Sequence, residues 1–489
     1  MGGEVRDASG SRCNHDEHIE RSSRRNIHGT GGTTVTDRIL IVGRGTAGMS
    51  LAEDIRSRGG EVVGFLDDRS TSDEVLGALG DVNEVVAAHD IDLVYFAIPT
   101  ANSAKVREFI NSISSDSVDI AIVPRTYDIL SKDTVAIDDL TDVDVLDLVG
   151  REPVKHNVVV AQQFLAGKRV LVTGSAGSIG SRLTRHILAA GAAEVVCVDW
   201  WENGMFYLGQ SLPGRENVTL RIADIKSGPH MEAIFAEFTP DIVFHAAAYK
   251  HVPLMQNNAI EAINNNVWGS LNMMRLAIEH GVQNFVYVST DKAVNPVNVM
   301  GTTKRIGEML MESLAADDVS TRFTAVRFGN VIESNGSVMQ IFRSQIAKGG
   351  PLTVTHPEVT RFFMTIDEAS QLIIQSAALG KNSDIFVLDM GEPVRILDLA
   401  QSLVRAVDPR LQIEIIGMRP GEKMFEELSY EPDRVERTDN QKIFVVRDEK
   451  EFDRGAFMAA IDSLLSRTLN YGITHDEATD ELRALGFTV

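Results

Sequence analysis

The sequence predicts an α/β protein with two parallel-sheet domains in tandem, and three observations lead to this class. Short apolar runs alternate with longer helical patterns along most of the chain, which is typical of parallel sheets that are buried on both faces. Two of the apolar runs, starting at Arg38 and Lys168, lead directly into glycine-rich turns. The chain has 489 residues, which is more than one ordinary core accommodates.

The first pattern begins at Arg38 with an apolar strand that runs into glycines and is followed by a helical stretch at 49–58. A strand at 61–67 and two short buried strands, at 92–99 and 119–124, continue the alternation. Because parallel strands need a crossover segment between them, this order predicts a compact domain that ends before the second glycine-rich turn.

The second pattern begins at Lys168 and is cleaner. Its first helix continues to about Ala190, and further strands are expected at 193–199, 219–223, 241–245, 284–289 and 323–328. After about residue 350 the runs become shorter and less regular, as expected of a smaller part that covers a substrate. The two patterns share a fold pattern but not a sequence, so they are not a close internal repeat.

Composition excludes several classes of protein. A formal net charge of −22 is opposite to the clustered cationic surface that general nucleic-acid binding requires. No segment reaches the roughly 20 consecutive apolar residues that cross a bilayer, and the polar N-terminus lacks a signal-peptide core. Cys13 and Cys197 are the only cysteines, so a disulfide framework is excluded and a reducing, cytoplasmic location is expected.

The second glycine-rich turn has the form of a dinucleotide-binding loop. Gly174, Gly177 and Gly180 lie between a strand and a helix, where glycines let the backbone approach a pyrophosphate at the helix N-terminus. Asp199, at the end of the next strand, can accept hydrogen bonds from an adenosine ribose and would repel a 2′-phosphate, which favours NAD over NADP. Asp224 follows another strand, and its position fits a contact with the adenine edge and a helix N-cap equally well.

The first turn, with Gly43, Gly45 and Gly48 followed by Asp67, has a similar form. It fits a bound nucleotide, but similar loops also serve only to pack a helix against a strand. This region shows no cluster of reactive side chains. Both interpretations of the first turn therefore stay open, and we place the chemistry in the second domain.

These patterns define the expected organisation. The N-terminal tail is rich in Ser, Arg, Asn and Gly, so His15, His18 and His28 are expected in a disordered segment and not in a metal site. The expected segments are a disordered tail (1–36), a Rossmann-like N-terminal nucleotide-fold domain (37–150), a linker (151–164), an NAD-binding domain (165–450) whose substrate-binding part lies mainly after 330, and a C-terminal helical extension (451–489). No metal site is predicted in the chain.

One strand of the second domain delivers a hydroxyl, a carboxylate and an amine together at its carboxyl end, at Thr290, Asp291 and Lys292. Open α/β sheets build their sites at this end of their strands. Lys304 follows on what is predicted to be the next helix. A solvated ion pair on a surface loop would explain Asp291 and Lys292 taken alone, but a complete dinucleotide loop in the same domain favours an active site.

These residues belong to a series of motifs. In chain order the motifs are Thr173-Gly-Ser-Ala-Gly-Ser-Ile-Gly180, His245-Ala-Ala-Ala-Tyr-Lys-His-Val-Pro-Leu254, Val288-Ser-Thr-Asp-Lys-Ala-Val-Asn-Pro296, Arg327-Phe-Gly-Asn-Val331, Val354-Thr-His-Pro-Glu358 and Arg419-Pro-Gly-Glu-Lys423. With them, residues 165–450 resemble the polysaccharide-biosynthesis branch of the extended short-chain dehydrogenases, the UDP-N-acetylglucosamine 4,6-dehydratases. Residues 38–150 resemble the nucleotide-fold domain of the long, CapD-like members, whose N-terminal membrane helices are absent from this sequence.

The resemblance implies a reaction in three steps: oxidation of a UDP-hexose at C-4 by NAD, loss of water across C-5 and C-6, and return of the hydride to C-6. It implies Lys292 as the base at C-5 and Asp291 as the acid at C-6, each with a pKa moved towards neutrality. It also implies that Thr290 binds the C-4 oxygen and that Lys304 binds the nicotinamide ribose. The two lysines are expected to lower each other's pKa. The resemblance leaves open which group takes the proton of the C-4 hydroxyl when C-4 is oxidised.

Most short-chain dehydrogenases use a Tyr-x-x-x-Lys pair, with the tyrosine as the base. Here the pair reads Met300-Gly-Thr-Thr-Lys304, and a thioether cannot take a proton. The long dehydratases share this methionine variant. The resemblance therefore implies an active enzyme of the kind that retains the configuration at C-5.

The ligand contacts of the family carry over by matching position. The implied NAD contacts are Gly174, Ser175, Gly177, Ser178, Ile179, Gly180, Asp199, Asp224, Ile225, Ala246, Asn266 and Lys304. The implied contacts with a UDP-sugar are Lys250, Asn330, Arg361, Arg419 and Glu422. The two arginines suit the pyrophosphate because a guanidinium fork matches phosphate oxygens, and a surface salt bridge is the alternative for each.

The sequence departs from the family pattern at four positions. Gln256 stands where a glutamate is expected, and Glu333 stands where a small residue is usual, so both bear on sugar recognition. Trp200 and Trp201 replace smaller or polar residues beside Asp199. These tryptophans either reshape the adenosine edge of the site or simply pack.

The predicted function is conversion of UDP-GlcNAc into UDP-4-keto-6-deoxy-GlcNAc for bacterial polysaccharide or glycan biosynthesis, by a soluble homo-oligomer. A nucleotide-sugar 4-epimerase shares the first oxidation but needs no acid at C-6, so the Asp291–Lys292 pair favours dehydration. A non-catalytic sensor of NAD or of a sugar nucleotide is the alternative from a different class. The reactive residues at the strand end argue against the sensor.

Overall fold

The computed structural model describes residues 37–101, 103–114, 118–123, 141–142, 158–212, 214, 216–317, 319–332, 334–408, 410–429, 435–446 and 452–489. The predicted disordered tail, residues 151–157 of the predicted linker and Glu333 lie outside these described residues. The described chain forms two compact units. The first contains residues 37–98 and 118–123, and the second contains the other described residues.

The first unit is a parallel sheet with helices in its crossovers. Its strands are β1 (Arg38–Val42), β2 (Glu61–Leu66), β3 (Val75–Gly77), β4 (Leu93–Phe96) and β5 (Asp119–Ile122), in the order β3-β2-β1-β4-β5. Helix α1 (Thr46–Ser57) follows β1, and helix α2 (Val82–His89) precedes β4. Strand β1 is almost wholly buried because it lies between β2 and β4, as its apolar sequence predicts.

The second unit corrects the predicted linker. Before its main sheet it contains helix α3 (Ser103–Ser112), the short strand β6 (Thr141–Asp142) and helix α4 (Val158–Leu165). Helix α4 occupies the second half of the segment that was expected to be a linker. Leu165 is fully buried, and Ala161 and Phe164 pack against the core, so apolar burial makes this segment part of the unit.

The main sheet of the second unit is doubly wound. Its first six strands are β7 (Arg169–Thr173), β8 (Glu194–Asp199), β9 (Val218–Ile222), β10 (Ile242–His245), β11 (Asn284–Val288) and β12 (Arg322–Arg327), all parallel, in the order β9-β8-β7-β10-β11-β12. The helices over this stretch are α5 (Ser178–Ala189), α6 (Glu202–Gln210), α7 (Gly228–Phe238), α8 (Val252–Gln256), α9 (Ala259–Ala262), α10 (Gly269–Glu279) and α11 (Val299–Ala315). The strand order reverses between β7 and β10, which is where doubly wound sheets open a crevice for a ligand.

The chain after residue 330 is less separate than predicted. It contributes the short strands β13 (Asn330–Val331), β14 (Leu352–Val354), β15 (Thr360–Arg361), β16 (Phe363–Met364), β18 (Val394–Arg395) and β19 (Ile413–Ile415), and the helices α12 (Val338–Ile346), α13 (Ile366–Leu379) and α14 (Ile396–Val407). It also returns three strands to the main sheet: β17 (Asp384–Leu388) beside β12, then β21 (Ile443–Val446) and β20 (Val435–Arg437), both antiparallel to their neighbours. Every residue of β17 is buried, so core formation and not only substrate covering explains this part.

The last two helices belong to the same core. Helices α15 (Arg454–Thr468) and α16 (His475–Ala484) bury Phe457, Ile461 and Leu482 in a cluster that also contains Ile306 and Leu310 of α11. The predicted helical extension therefore packs directly on the helix that carries Met300 and Lys304. No helix formed by the described residues has the length and apolarity needed to cross a bilayer.

A buried ion pair joins α11 to the sheet. Glu308 accepts hydrogen bonds from Arg327 Nε at 2.8 Å and Arg327 Nη2 at 2.6 Å, and its side chain and that of Arg327 are fully buried. Arg305 Nη1 donates to the same carboxylate at 3.1 Å, and Ser289 Oγ donates at 2.7 Å. Burial alone would raise the pKa of Glu308, but the two arginines outweigh burial and hold the pKa well below its usual range.

We expect Glu308→Gln to destabilise the second unit strongly, because it removes the buried carboxylate that binds Arg327 through two hydrogen bonds and one of the carboxylate partners of Arg305. The free energy of unfolding should fall by about 3–5 kcal/mol, the usual cost of removing one partner of a buried pair. Urea denaturation followed by circular dichroism measures this loss. Glu237→Gln is the matched control, since Glu237 forms an exposed ion pair with Arg221 at 2.8 Å. An equal, small effect of both substitutions would contradict the role given to Glu308.

Candidate active site

A cavity of about 690 Å³ lies at the carboxyl ends of β7, β8, β10 and β11 in the second unit. Most of the residues predicted from the sequence line it. These are Gly174, Gly177, Ser178, Ile179, Gly180, Asp199, Ile225, Ala246, Lys250, Thr290, Lys292, Met300, Lys304 and Asn330. The sheet therefore brings residues that are spread over more than 150 positions of the sequence to one crevice. This crevice lies at the point where the strand order of the sheet reverses.

The three glycines of the loop are needed for different reasons. Gly174 has φ +66°, and a Cβ there would lie 2.6 Å from the backbone nitrogen of Ala247. A Cβ on Gly180 would lie 2.1 Å from the Gly174 carbonyl oxygen, so α5 packs on the loop only without a side chain at this position. Gly177 is less crowded, with the same oxygen at 3.1 Å, and its missing side chain leaves the cavity surface open. The loop thus exposes backbone at the N-terminus of α5, where an anion is stabilised.

Asp199 closes the loop from the next strand. Its carboxylate accepts hydrogen bonds from the backbone nitrogens of Ala176 and Trp201, both at 3.0 Å. Burial raises the pKa of Asp199, and these backbone donors oppose that shift. Trp200 and Trp201 line the cavity, so both lie at the side of the site that the sequence predicts to hold the adenosine of NAD. Trp201 also packs, because its ring lies where a Cβ on Gly204 would be.

The first unit repeats this loop geometry without a reactive cluster. Gly43 has φ +97°, and a Cβ on Gly48 would lie 1.9 Å from the Gly43 carbonyl oxygen. The Asp67 carboxylate accepts backbone N–H groups from Arg44 at 2.7 Å and from Arg69 at 2.8 Å. Tight packing of helix on strand thus accounts for Gly43 and Gly48 without a ligand.

Thr290, Asp291 and Lys292 form one hydrogen-bonded group. Strand β11 ends at Val288, and Thr290 caps a short 3₁₀ turn that runs from Asp291 to Ala293. Asp291 Oδ1 accepts hydrogen bonds from Thr290 Oγ1 and from Lys292 Nζ, both at 2.9 Å. Asp291 is fully buried and does not line the cavity, whereas Thr290 and Lys292 do. Thr290 therefore stands between the cavity and the buried carboxylate.

The structure corrects the predicted charge state of Lys292. Its Nζ also donates to Asn330 Oδ1 at 2.9 Å and lies 3.6 Å from Glu426 Oε1. Burial alone would lower the pKa of Lys292, but the Asp291 and Glu426 carboxylates outweigh burial and raise the pKa above its ordinary value. Without a ligand, Lys292 is thus an ammonium group, and the expected shift towards neutrality is wrong for this state.

Met300 and Lys304 reach the cavity from the first turns of α11. Asn298 caps this helix by accepting a hydrogen bond from the Gly301 nitrogen at 2.7 Å. Lys304 Nζ lies 4.0 Å from the centre of the buried Tyr287 ring, and burial lowers its pKa to about 7. The predicted mutual effect of the two lysines is therefore wrong, because burial and not Lys292 lowers the pKa of Lys304.

Three of the predicted cofactor residues do not line the cavity. Ser175 is fully buried, and its hydroxyl donates to Met205 Sδ at 3.3 Å. Asn266 lies in a π-helical turn from Ile263 to Trp268, where its amide binds the Tyr249 backbone at 2.8 and 3.0 Å. Asn266 thus holds the loop after β10, while the neighbouring Asn265 lines the cavity. The sequence could not distinguish adjacent asparagines in an irregular turn.

Asp224 is the third of these residues. Helix α7 begins at Gly228 with Ser227 as its N-cap, so the N-cap interpretation of Asp224 is wrong. The Asp224 carboxylate instead accepts a hydrogen bond from the Lys226 nitrogen at 2.9 Å. A contact between Asp224 and an adenine ring stays a prediction.

The predicted substrate residues of the C-terminal part form a network beside the cavity and do not line it. Arg361 Nη2 donates to Glu422 Oε1 at 3.0 Å, and the Arg419 nitrogen donates to Glu422 Oε2 at 3.2 Å. Arg361 Nε lies 3.9 Å from Glu426 Oε1. Gln256 also lies outside the cavity lining, and its side chain accepts a hydrogen bond from the Val299 nitrogen at 3.2 Å, at the start of α11.

Glu426 is the site residue that sequence reasoning missed. Only 3% of its side chain is exposed, and it lies between Lys292 and Arg361. It follows the Arg419–Lys423 motif by three residues and stands next to a second glutamate, Glu427. No pattern in the sequence shows which of two adjacent glutamates is buried.

The cavity lining contains one tyrosine. Burial raises the pKa of this residue, Tyr249, which has Lys226 and Glu261 as charged neighbours. Among the described residues, no group of three or more His, Cys, Asp or Glu side chains could hold a metal ion. The predicted catalytic roles of Thr290, Asp291, Lys292 and Lys304 stay predictions.

The sheet order, the glycine loop at its switch point and the strand-end cluster define a Rossmann-type fold of the extended short-chain dehydrogenase kind. Residues 170–448 match the family described as polysaccharide biosynthesis protein, and residues 18–124 match a family described as a CoA-binding domain. The chain belongs to the polysaccharide biosynthesis protein family.

Several relatives are similar over long stretches. The capsular polysaccharide biosynthesis protein CapD of Staphylococcus aureus is 41% identical over 409 residues, which cover 80% of this chain and 68% of CapD. A UDP-N-acetylglucosamine 4,6-dehydratase (inverting) of Campylobacter jejuni is 31% identical, over 53% of this chain and 77% of the relative. A UDP-glucose 4-epimerase of Rickettsia conorii is 34% identical, over 53% and 77%. The X-ray structure of Pen from Bacillus thuringiensis matches with a TM-score of 0.55 and 31% identity, over 60% of this chain and 90% of Pen.

We expect Lys304→Met to stabilise the protein without added ligand, and the gain to depend on pH. The pKa of Lys304 falls from 10.5 to about 7 on folding, so below pH 7 the folded protein bears the cost of a buried ammonium group. The gain should be on the order of 5 kcal/mol at pH 6, from a fall in pKa of about 3.5. It should shrink as the pH rises from about 7 towards 10.5, because the unfolded lysine then also loses its proton and folding no longer removes one.

Thermal and urea unfolding at pH 6 and pH 9.5 measure this difference. The exposed Lys348 provides the control variant Lys348→Met, which should change stability little at either pH. A gain for Lys304→Met that is the same at both pH values would show that apolar packing of the methionine, and not relief from a buried charge, decides the effect.

Proposed function

We propose that this protein is a nucleotide-sugar 4,6-dehydratase that converts UDP-GlcNAc into UDP-4-keto-6-deoxy-GlcNAc. The observation that carries the proposal is the bridging carboxylate: Asp291 Oδ1 lies 2.9 Å from both the Thr290 hydroxyl and the Lys292 amine. Oxidation at C-4 alone, as in an epimerase, needs one proton acceptor. Elimination across C-5 and C-6 needs an acid and a base as well, and this group supplies them.

The loop and Asp199 fit NAD as the cofactor. We assign the pyrophosphate to the backbone of Gly174–Gly180, the adenosine ribose to Asp199 and the nicotinamide ribose to Lys304. The open cavity surface at Gly177 and the exposed loop backbone at the N-terminus of α5 support the first assignment. When bound, NAD supplies the chemistry of taking hydride from C-4 and returning it to C-6. The domain assigned to this cofactor is 165–450.

We assign the first proton to Asp291, through Thr290. Met300 lines the cavity where most relatives of this fold carry a tyrosine, and its thioether accepts no proton. A hydroxyl can accept the proton of the C-4 hydroxyl while it passes its own proton on. Because Thr290 already donates to Asp291 at 2.9 Å, the proton from C-4 ends on the buried carboxylate.

The same proton then leaves with the C-6 hydroxyl. Once the sugar is a 4-ketone, the C-5 proton is acidic and Lys292 removes it as the neutral amine. Asp291 returns its proton through Thr290 to the departing C-6 hydroxyl, which leaves as water. Lys292 finally returns its proton to C-5 from the face from which it took it, so the configuration at C-5 is retained. This is the outcome that the methionine variant implies.

The substrate assignments extend from the cavity to the network beside it. Lys250 and Asn330 line the cavity and are assigned to the sugar. Arg361 and Arg419 are assigned to the pyrophosphate, with Glu422 holding them in the absence of ligand, since Arg361 and the Arg419 backbone both bind this carboxylate. Binding of UDP then exchanges a carboxylate for phosphate oxygens as the partner of Arg361.

The wider context also belongs to the proposal. We assign the protein to polysaccharide or glycan biosynthesis, the process named for CapD. The cytoplasmic location is predicted from the sequence, and the homo-oligomeric state is what the resemblance to the family implies. The buried Cys197 is free, which is compatible with a reducing compartment.

The first test is an NMR experiment with UDP-GlcNAc and NAD in deuterated water. The wild-type protein should form a 4-keto-6-deoxy sugar with deuterium at C-5, because the base exchanges its proton with solvent. Lys292→Ala should abolish this product, because the proposal makes the Lys292 amine the base at C-5. The control is Lys442→Ala, at a lysine whose side chain is 44% exposed and pairs with Asp389 at 2.6 Å.

Other outcomes of this test identify the competing functions. Formation of a C-4 epimer without a 6-deoxy product would favour the 4-epimerase, to which the Rickettsia relative points. An unchanged UDP-GlcNAc spectrum calls for other UDP- and dTDP-hexoses. Failure with all of them, with NAD still bound, would favour the non-catalytic sensor.

A second test separates the relay from the base. Thr290→Val keeps the shape of the side chain and removes its hydroxyl, so oxidation at C-4 should slow by about 100-fold, the usual size of a lost proton-transfer step. Exchange of the C-5 proton in a preformed 4-keto-6-deoxy product should persist, because Lys292 alone catalyses it. Thr219→Val, on β9 and away from the cavity, is the control. Equal loss of both reactions in Thr290→Val would contradict the relay.

A further inference from the structure

A buried carboxylate behind Lys292 has no role in the steps described so far. Glu426 Oε1 lies 3.6 Å from Lys292 Nζ and 3.9 Å from Arg361 Nε. Glu426 Oε2 is buried and has no hydrogen-bond partner among the described residues. An unpaired oxygen of this kind is costly in a folded protein, so it calls for an explanation.

The charges around this pair come from several elements. Those facing Lys292 are Asp291, Glu426, Arg361 and Lys250, and those facing Glu426 are Lys292, Asp291, Arg361 and Lys423. Lys423 is itself held by the Val294 carbonyl oxygen at 2.8 Å and by Glu427 at 3.2 Å. Glu426 is therefore a second carboxylate beside Lys292, in addition to Asp291.

The proposed reaction gives this contact a purpose. Lys292 takes a proton from C-5 only as a neutral amine, whereas two carboxylates, Asp291 at 2.9 Å and Glu426 at 3.6 Å from Nζ, favour its ammonium form. Asp291 cannot accept the Lys292 proton, because it must receive the proton from C-4. A separate acceptor is needed, within reach of Lys292 and away from the substrate. Glu426 does not line the cavity, and its Oε1, 3.6 Å from Lys292 Nζ, would reach hydrogen-bond distance by the small tightening that active sites undergo when substrate binds.

We propose that Glu426 is a positioning residue that accepts the Lys292 proton, so that the pair alternates between ammonium with carboxylate and amine with carboxylic acid. This inference rests on the proposed dehydratase function. It adds a third protonation site, from the C-terminal part of the chain, to the two adjacent residues at the end of β11.

The protons balance through one turnover. The Lys292 proton moves to Glu426, which holds it while the reaction proceeds. The C-4 hydroxyl proton moves through Thr290 to Asp291 and leaves in the water formed from the C-6 hydroxyl. The C-5 proton moves to Lys292 and returns to C-5. Glu426 then returns its proton to Lys292, and all three groups are as they were at the start.

The electrostatics of Glu426 support this assignment. Burial raises its pKa, and the nearby Asp291 carboxylate adds to the effect. The cations Lys292, Arg361 and Lys423 oppose it, but the pKa stays above its ordinary value. A phosphate group that draws Arg361 away would remove one of these cations, so substrate binding itself would favour the protonated form of Glu426.

The test measures deuterium wash-in at C-5 of purified UDP-4-keto-6-deoxy-GlcNAc, with the enzyme-free rate subtracted. This reaction needs the C-5 base but no hydride transfer. In Glu426→Gln, Lys292 must lose its proton to solvent, so the wash-in rate at pH 7 should fall by about 100-fold. The ratio of the variant wash-in rate to the wild-type wash-in rate should rise by about tenfold per pH unit, because only the variant must lose the Lys292 proton to solvent. Ionisations that both proteins share cancel in this ratio.

Two matched variants complete the design. Glu427→Gln changes the neighbouring glutamate, whose side chain is 47% exposed and pairs with Lys423, and should leave rate and pH profile unchanged. Glu426→Asp keeps a carboxylate one methylene further away, so its rate should fall less and its ratio to wild type should not vary with pH. Thermal unfolding of each variant separates a loss of folding from a loss of base function.

The possible outcomes are distinct. A Glu426→Gln variant that folds and keeps the wild-type rate, or that loses rate by the same factor at every pH, overturns the proposal. If the Glu426→Gln variant does not fold, two other results would overturn the proposal. One is a ratio of the Glu426→Asp rate to the wild-type rate that rises with pH. The other is a wild-type wash-in rate that rises about tenfold per pH unit between about pH 6 and 9. Absence of any wash-in with the wild-type protein is different, because it contradicts the proposed function itself.

Discussion

The carboxylate of Glu308 is the constraint on which the rest of the second unit depends. It joins Arg327 at the end of β12, Ser289 at the end of β11 and Arg305 on α11 in one buried network. Buried charges are tolerated only when they are paired and hydrogen-bonded, so this network allows one register of helix against sheet. That register places Met300 and Lys304 opposite the cluster at the end of β11.

A second line of charges alternates in sign through the site itself. It runs from Asp291 through Lys292, Glu426 and Arg361 to Glu422, with neighbouring charged atoms between 2.9 and 3.9 Å apart. Each group is held by the opposite charge next to it, which makes the line stable without a ligand. In the proposed mechanism, a ligand phosphate that engages Arg361 would change the balance at the far end and so would couple substrate binding to proton positions.

The two units show that the same backbone geometry at the glycine turn does not imply the same function. Both have a left-handed glycine after the first strand and a second glycine packed against the carbonyl oxygen of the first, at Gly43 with Gly48 and at Gly174 with Gly180. Among the described residues, a hydroxyl, a carboxylate and an amine lie together at the end of a neighbouring strand only in the second unit. The chemistry therefore resides in side chains added to a common scaffold.

The sequence by itself determined the parallel sheets, the glycine turns and the adjacent group at 290–292, because each depends on local periodicity or on neighbours in the chain. It also indicated the family, through motifs that lie in order along the chain. Only the tertiary structure decided that Lys292 is charged, that Asn266 and Ser175 lie behind the cavity, and that β17 joins the main sheet. Above all it brought Glu426 to Lys292 across more than 130 residues of sequence. Burial, charge state and distant contacts are properties of packing, and no local pattern in the chain encodes them.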